Sequence, residues 1–315
     1  MIFSVIRYIF KSDLYAGVFF ILLSYGGFLI PHEHKTVFTS LVIAGAFFLG
    51  AIFLSNYISL RLKRVSLLQV IVGRESEKIK FIVFCIFSGA FFEFLGSFVG
   101  GLWYYPYWSF GMYVLIGFLL GGWCFYILFL CVAYEAGKQV FDRLLPNQPY
   151  VRRYYSFETK VYQGLLAMGL VLVGVVVGAF VTNAIFLAQL DLAVNKFRPG
   201  ALGWEYALLL GVGVMCICEF IEFKRHRTSF VKDLLHGYFS PLLSVLLVGL
   251  ILAMSNEVQN LNVYLWKYGL FPWPNSVVAG IPVSAIVGWQ IHILLFIELW
   301  RAFGSKKSAL VFSRT

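Results

Sequence analysis

Apolar residues in this chain run on in long stretches rather than alternating with polar ones. Eight stretches approach the roughly 20 helical residues needed to cross about 30 Å of hydrocarbon. They lie near Leu14–Ile30, Val37–Leu60, Phe81–Gly100, Phe110–Ala133, Val161–Phe186, Glu205–Phe223, Pro241–Ser255 and Val277–Trp300. Continuous apolar runs, not dyad alternation, predict transmembrane helices and exclude barrel strands. Met1–Phe10 reads as a short interfacial helix ahead of the first span. That span ends in Pro31-His32-Glu33-His34 with no small-residue cleavage site, so it reads as a retained anchor.

The polar gaps fix an orientation. Of 25 Lys and Arg residues, 21 fall in alternate gaps; only Lys35, Lys196, Arg198 and Lys267 fall in the others. One basic gap holds Arg61 to Lys80, another Lys138 to Lys160, a third Lys224 to Lys232. Arg7 and Lys11 precede the first span, and Arg301 to Arg314 follow the last. The positive-inside rule then places both termini in the cytoplasm, with an even number of spans, in a bacterial or archaeal cytoplasmic membrane. Composition agrees: 60% hydrophobic and 13% charged residues cannot cover a soluble surface, where about 25% charged is usual. The net charge of +10 reads as topology and contact with anionic membrane lipid, not as nucleic-acid binding. Protein partners are not indicated.

The second half repeats the first. At a shift of 163 residues, Ser55-Asn56-Tyr57-Ile58-Ser59 falls on Cys218-Glu219-Phe220-Ile221-Glu222, and the basic run from Arg61 on that from Lys224. Glu93 aligns with Glu257 and Gly96 with Asn260 one residue further on. Trp103-Tyr104-Tyr105 then matches Trp266-Lys267-Tyr268; after a short insertion Trp108 pairs with Trp273, and Gly122-Trp123 with Gly288-Trp289. Six of the eight tryptophans take part, and Trp is too scarce for that to arise readily by chance. The expected architecture is an all-α polytopic membrane protein of about eight helices in two parallel four-helix repeats, 1–150 and 151–315, in one membrane domain. Parallel repeats share a pseudo-two-fold axis along the membrane normal. Gly174-x-x-x-Gly178 and Ala46-x-x-x-Gly50 would allow close helix approach.

Candidate chemistry is sparse. Glu93 lies deep in the third span, where an unpaired carboxylate costs several kcal/mol. It must be protonated, paired or facing a wet cavity, which makes it the candidate acid, with Glu257 as its mate. Trp103 and Tyr105, then Trp266 and Tyr268, follow these acids at similar spacing and would line a pocket. Aromatic faces stabilise cations and stack on flat apolar ligands. Trp123, Trp289, Asn260 and His292 complete the candidate substrate-binding set; His292 shares a face with Trp289, and Tyr126 holds its place in the first half. Gly280-Ile281-Pro282 would bend the start of the last helix.

Other polar groups read as structural. Glu219 and Glu222 share a helix face and read as an interfacial ion-pair cluster, with divalent-ion binding the alternative. Glu135 and Glu298 are similar inner-edge residues; Asn183, Glu205 and His32-Glu33-His34 read as interfacial. Cys85, Cys124, Cys131, Cys216 and Cys218 all fall within spans and read as small packing residues. No P-loop, H-E-x-x-H, G-x-S-x-G or dinucleotide fingerprint occurs. No cofactor and no metal are expected, and a lone deep histidine does not suit heme.

The arrangement Glu93-x-x-Gly96…Trp103-x-Tyr105 with Glu257-x-x-Asn260…Trp266-x-Tyr268…Gly280-x-Pro282 resembles the duplicated membrane enzymes of carotenoid biosynthesis, the lycopene-cyclase and bisanhydrobacterioruberin-hydratase kind. The likeness covers about a third of each half, and the Pro-Glu-Glu signature of the cyclases is absent. The resemblance implies cofactor-free, acid-catalysed addition or cyclisation on an isoprenoid chain. Three readings stay open: an enzyme acting on an isoprenoid or other lipid, a small-molecule or lipid transporter, and a non-catalytic membrane subunit or lipid-binding scaffold.

Overall fold

The protein is described as a computed structural model covering residues 2–30, 36–105, 121–146, 148, 155–182, 202–263, 266–269, 272–273, 275–278 and 280–304. It is all-α and polytopic. Among the described residues, seven helices are long and apolar enough to cross a membrane. They are α2 (Val37–Lys63), α4 (Glu75–Glu93, continued by a π-helical turn over Phe94–Val99), α5 (Trp123–Leu144), α6 (Ser156–Thr182), α7 (Trp204–His226), α9 (Ser240–Val263) and α10 (Val283–Phe303). The expected first span belongs to α1 (Ile2–Gly26), whose apolar part, Ser12–Gly26, is shorter than the other spans. No separate interfacial helix precedes it, because the helix is unbroken from Ile2.

Local chemistry sets the helix ends. Thr36 and Thr39 cap α2 reciprocally, each side chain accepting from the other's backbone N–H at 3.1 and 2.8 Å. At its far end Arg64 turns left-handed (φ 60°), and Ser66 then accepts from Gln69 N to start the short helix α3, Leu67–Val72. The same device recurs 163 residues later. Arg227 closes α7 at φ 59°, and Ser229 accepts from Lys232 N to start α8, Phe230–Leu235.

Packing is layered from a central group outward. α1 lies on α2 and α6 on α7, while α5, α7, α9 and α10 pack among themselves. Of the seven, α5 is the most enclosed and α6 the least. Phe47, Phe129, Leu130, Ile293 and Phe296 are among the buried residues that fill the core.

Two boundaries differ from the sequence expectation. Val277–Val278 and Ile281–Pro282 form a two-stranded hairpin (β3 and β4), so the last helix starts at Val283, not Val277. Gly280 takes the positive φ (80°) that the tight turn requires. Pro282 therefore bends no helix; it stands just before the first turn, where its missing N–H costs nothing. The fourth helix also continues beyond Ala133 to Leu144. The start of that span, together with Trp108, Asn183 and His32-Glu33-His34, lies outside the described residues.

Candidate functional site

The third span carries Glu93 to its end. Glu93 is the last α-helical residue of α4, about 27 Å along the helix at 1.5 Å per residue. The chain then widens into the π-turn Phe94–Val99, a winding that often marks functional positions. Gly101 (φ 59°) turns it back into strand β1, Trp103–Tyr104. This return brings Trp103 and Tyr105 onto the acid they follow. The Glu93 carboxyl accepts from Tyr105 Oη at 2.7 Å, Ser97 Oγ at 3.2 Å and Trp103 Nε1 at 3.3 Å. The Trp103 indole lies flat over Gly96, where any side chain would collide with it, and stacks on Phe92 at 5.0 Å.

The second acid has a matching shell. Glu257 is buried on α9 and accepts from Tyr268 Oη and from Trp289 Nε1 at 2.8 Å. Trp266 Nε1 donates to Tyr268 Oη at 3.1 Å. Asn260 is spent on the main chain: its amide accepts from Trp266 N and donates to Trp266 O, both at 3.0 Å. It shapes the loop instead of presenting a free polar group.

The two shells join. Strand β1 pairs antiparallel with β2 (Lys267–Tyr268), setting Trp103 opposite Tyr268 and Tyr104 opposite Lys267. Gly269 N donates to Leu102 O at 2.8 Å and extends the contact. Beneath this ladder Tyr126 Oη meets His292 Nε2 at 3.3 Å. Trp123 stands beside Tyr126 (ring centroids 5.4 Å) as Trp289 does beside His292 (5.2 Å). The cross contacts Trp123–His292 and Tyr126–Trp289 are 6.3 and 6.4 Å. Tyr126 also stands within electrostatic reach of both Tyr105 and Tyr268. Each acid therefore holds a phenol, and the β1–β2 ladder and the Tyr126–His292 contact bring the two shells together.

Burial, then the adjacent acids, push the Tyr105 and Tyr268 phenols above their ordinary range. Both stay protonated and donate. Hydroxyls can also accept, whereas indole N–H groups only donate. Tyr105 Oη faces one carboxyl oxygen of Glu93 and Ser97 Oγ the other, so a protonated Glu93 finds a hydroxyl acceptor on either side. The arrangement can hold and pass a proton between carboxyl and phenol, and it lies against aromatic faces suited to a developing cation.

Eight of the ten candidate residues converge on the two acids or on each other through side chains. Trp266 and Asn260 converge partly through backbone. Tyr126, Phe92 and Ser97 belong to the site as well. Tyr126 was marked by its place opposite His292 in the alignment of halves; Ser97 carried the signal of one helical turn beyond Glu93. Glu219 and Glu222 sit elsewhere, at the end of the bundle carrying the basic loops. Both are buried, and Glu222 is ion-paired with Arg301. Among the described residues no group of His, Cys, Asp and Glu is arranged to hold a metal. No family model, no characterised protein and no solved structure matches this chain.

Proposed function

We propose that the chain is an integral membrane enzyme performing cofactor-free, acid-catalysed chemistry on an isoprenoid or similarly apolar lipid. The observation that carries this is a seam of two acid–phenol pairs, Glu93–Tyr105 and Glu257–Tyr268, joined by the β1–β2 ladder and lined by Trp103, Trp123, Trp289 and Phe92. Glu93 would give its proton to an alkene carbon, directly or through Tyr105. Aromatic faces would stabilise the resulting cation. Loss of a neighbouring proton, or addition of water followed by loss of one, would return a proton to the carboxylate, so atoms and charge balance without a cofactor. The resemblance to carotenoid-modifying membrane enzymes is in keeping with this chemistry.

Internal duplication supports one shared site. Tyr104 and Lys267, mates at the 163-residue shift, oppose each other across the β1–β2 ladder. The mates Tyr126 and His292 meet at 3.3 Å. Contacts between mates are what a two-fold axis produces. On this reading the basic-loop end is cytoplasmic and the seam lies in the outer half of the bilayer.

The test is Glu93→Gln in the full-length protein. Loss of product with the lipid still bound supports the enzyme. Unchanged chemistry with altered uptake in proteoliposomes replaces it with a transporter. Loss of a partner subunit with neither change replaces it with a scaffold.

A further inference from the structure

The basic-loop end of the bundle holds a second buried acid cluster, unrelated to Glu93 and Glu257. Glu219 and Glu222 are one turn apart on α7; Glu298 and Arg301 are one turn apart on α10. The two helices pack together and meet in two rungs. The rung nearer the basic loops is ionic: Glu222 Oε1 lies 3.0 Å from Arg301 Nε and 2.9 Å from Nη2. The deeper rung is acid on acid, with the Glu298 carboxyl within hydrogen-bonding reach of Glu219. All four residues are at most 4% exposed.

Charge does not balance there. Arg301 is already shared between Glu222 and Asp233, the latter at 3.0 Å. Lys232 is drawn to Glu158 at 3.0 Å. Glu219 takes one backbone donor, Val231 N at 3.0 Å. One oxygen each of Glu219, Glu222 and Glu298 is buried with no hydrogen-bond partner among the described residues. On α5, by contrast, Glu135 has a cation of its own, Lys138 at 3.7 Å, and Gln139 donates to it at 2.7 Å.

We propose that Glu219 and Glu298 share a proton and form a reversible proton-binding site separate from the Glu93–Glu257 seam. Two carboxylates in contact and away from water cannot both stay charged; one proton turns their repulsion into a hydrogen bond. The surrounding titratable groups are Cys216, Cys218 and Glu222 on α7, with Arg301 on α10. Asp233 on α8, Tyr134 on α5 and Tyr162 on α6 complete the shell.

The test is infrared difference spectroscopy of the full-length protein in lipid nanodiscs, titrated in pH. The expected result is a protonated-carboxyl carbonyl band that disappears as pH rises. Both Glu219→Gln and Glu298→Gln lose that band component, while Glu93→Gln and Glu135→Gln keep it. A band that survives in either of the first two variants overturns the proposal. So does a band removed at fixed pH by sodium or potassium chloride, which would assign the site to an alkali cation. Where a variant does not fold, wild-type protein labelled with carbon-13 glutamate replaces it, and a band that does not shift with the label overturns the proposal.

Discussion

Gly96→Ala isolates the link between Trp103 and Glu93. A Cβ on Gly96 would sit 1.7, 2.1 and 2.3 Å from Trp103 Cη2, Cζ2 and Cζ3. Carbon atoms settle about 3.5–4.0 Å apart, so the indole must retreat by about 2 Å. That carries Nε1, now 3.3 Å from Glu93, out of hydrogen-bonding range and slides the ring off Phe92. The lost hydrogen bond to a carboxyl group is worth about 1–3 kcal/mol. The spoiled aromatic pair adds about 0.5–1.5 kcal/mol. A destabilisation of about 2–4 kcal/mol follows. The control is Gly174→Ala on α6, where a Cβ meets nothing within 4 Å. There alanine should stabilise by about 0.5–1 kcal/mol, opposite in sign. Thermal denaturation of purified protein in detergent, followed by tryptophan emission, reads both. Equal midpoints for the two variants would refute the reasoning.

Three further outcomes are expected. Arg301→Met strands Glu222 and Asp233 without their cation and should cost about 3–5 kcal/mol, whereas Lys78→Met, which removes an exposed pair with Glu75, should cost under about 1 kcal/mol; comparable losses in thermal denaturation would contradict this. Burial pushes Asp233 up to about 6, against the pull of Arg301. The folded protein thus holds that proton more tightly than the unfolded chain, and this contribution, full below about pH 4, is lost as pH rises through about 6; Asp233→Asn should flatten that part of the stability profile, and an unchanged slope would count against it. Finally, a membrane-impermeant maleimide should label Lys267→Cys in intact cells and Arg74→Cys only after permeabilisation; labelling of both from one side would overturn the orientation.

The class of the protein was readable because hydrocarbon imposes one pattern on any spanning helix, and the basic gaps marked the span ends on one side of the bundle. Arg64 and Arg227, in those gaps, are the residues that terminate α2 and α7. The contact of Glu93 with Trp103 and Tyr105 was legible as spacing, ten and twelve residues beyond the acid. The hairpin Val277–Pro282 was not, because a short β-branched apolar run reads the same in a strand as in a helix start. Nor was the ladder between β1 and β2: the likeness of Trp103-Tyr104-Tyr105 to Trp266-Lys267-Tyr268 does not say that two segments more than 160 residues apart pair with each other. The π-turn after Glu93 leaves no periodicity to find in six residues. The rungs of α7 and α10 did leave a trace: Glu219-x-x-Glu222 and Glu298-x-x-Arg301 each set two ionisable groups one helical turn apart. What that trace lacked was the facing helix, which only packing supplies.

Mass spectrometry of the lipids and pigments that leave the membrane with the purified protein tests the proposed chemistry most directly. Acid catalysis along the aromatic seam predicts a bound polyene or other isoprenoid, enriched over its share of the bulk membrane and displaced when Trp103 and Trp289 are both replaced by alanine. Recovery of bulk phospholipid alone, unchanged by that double substitution, would contradict it.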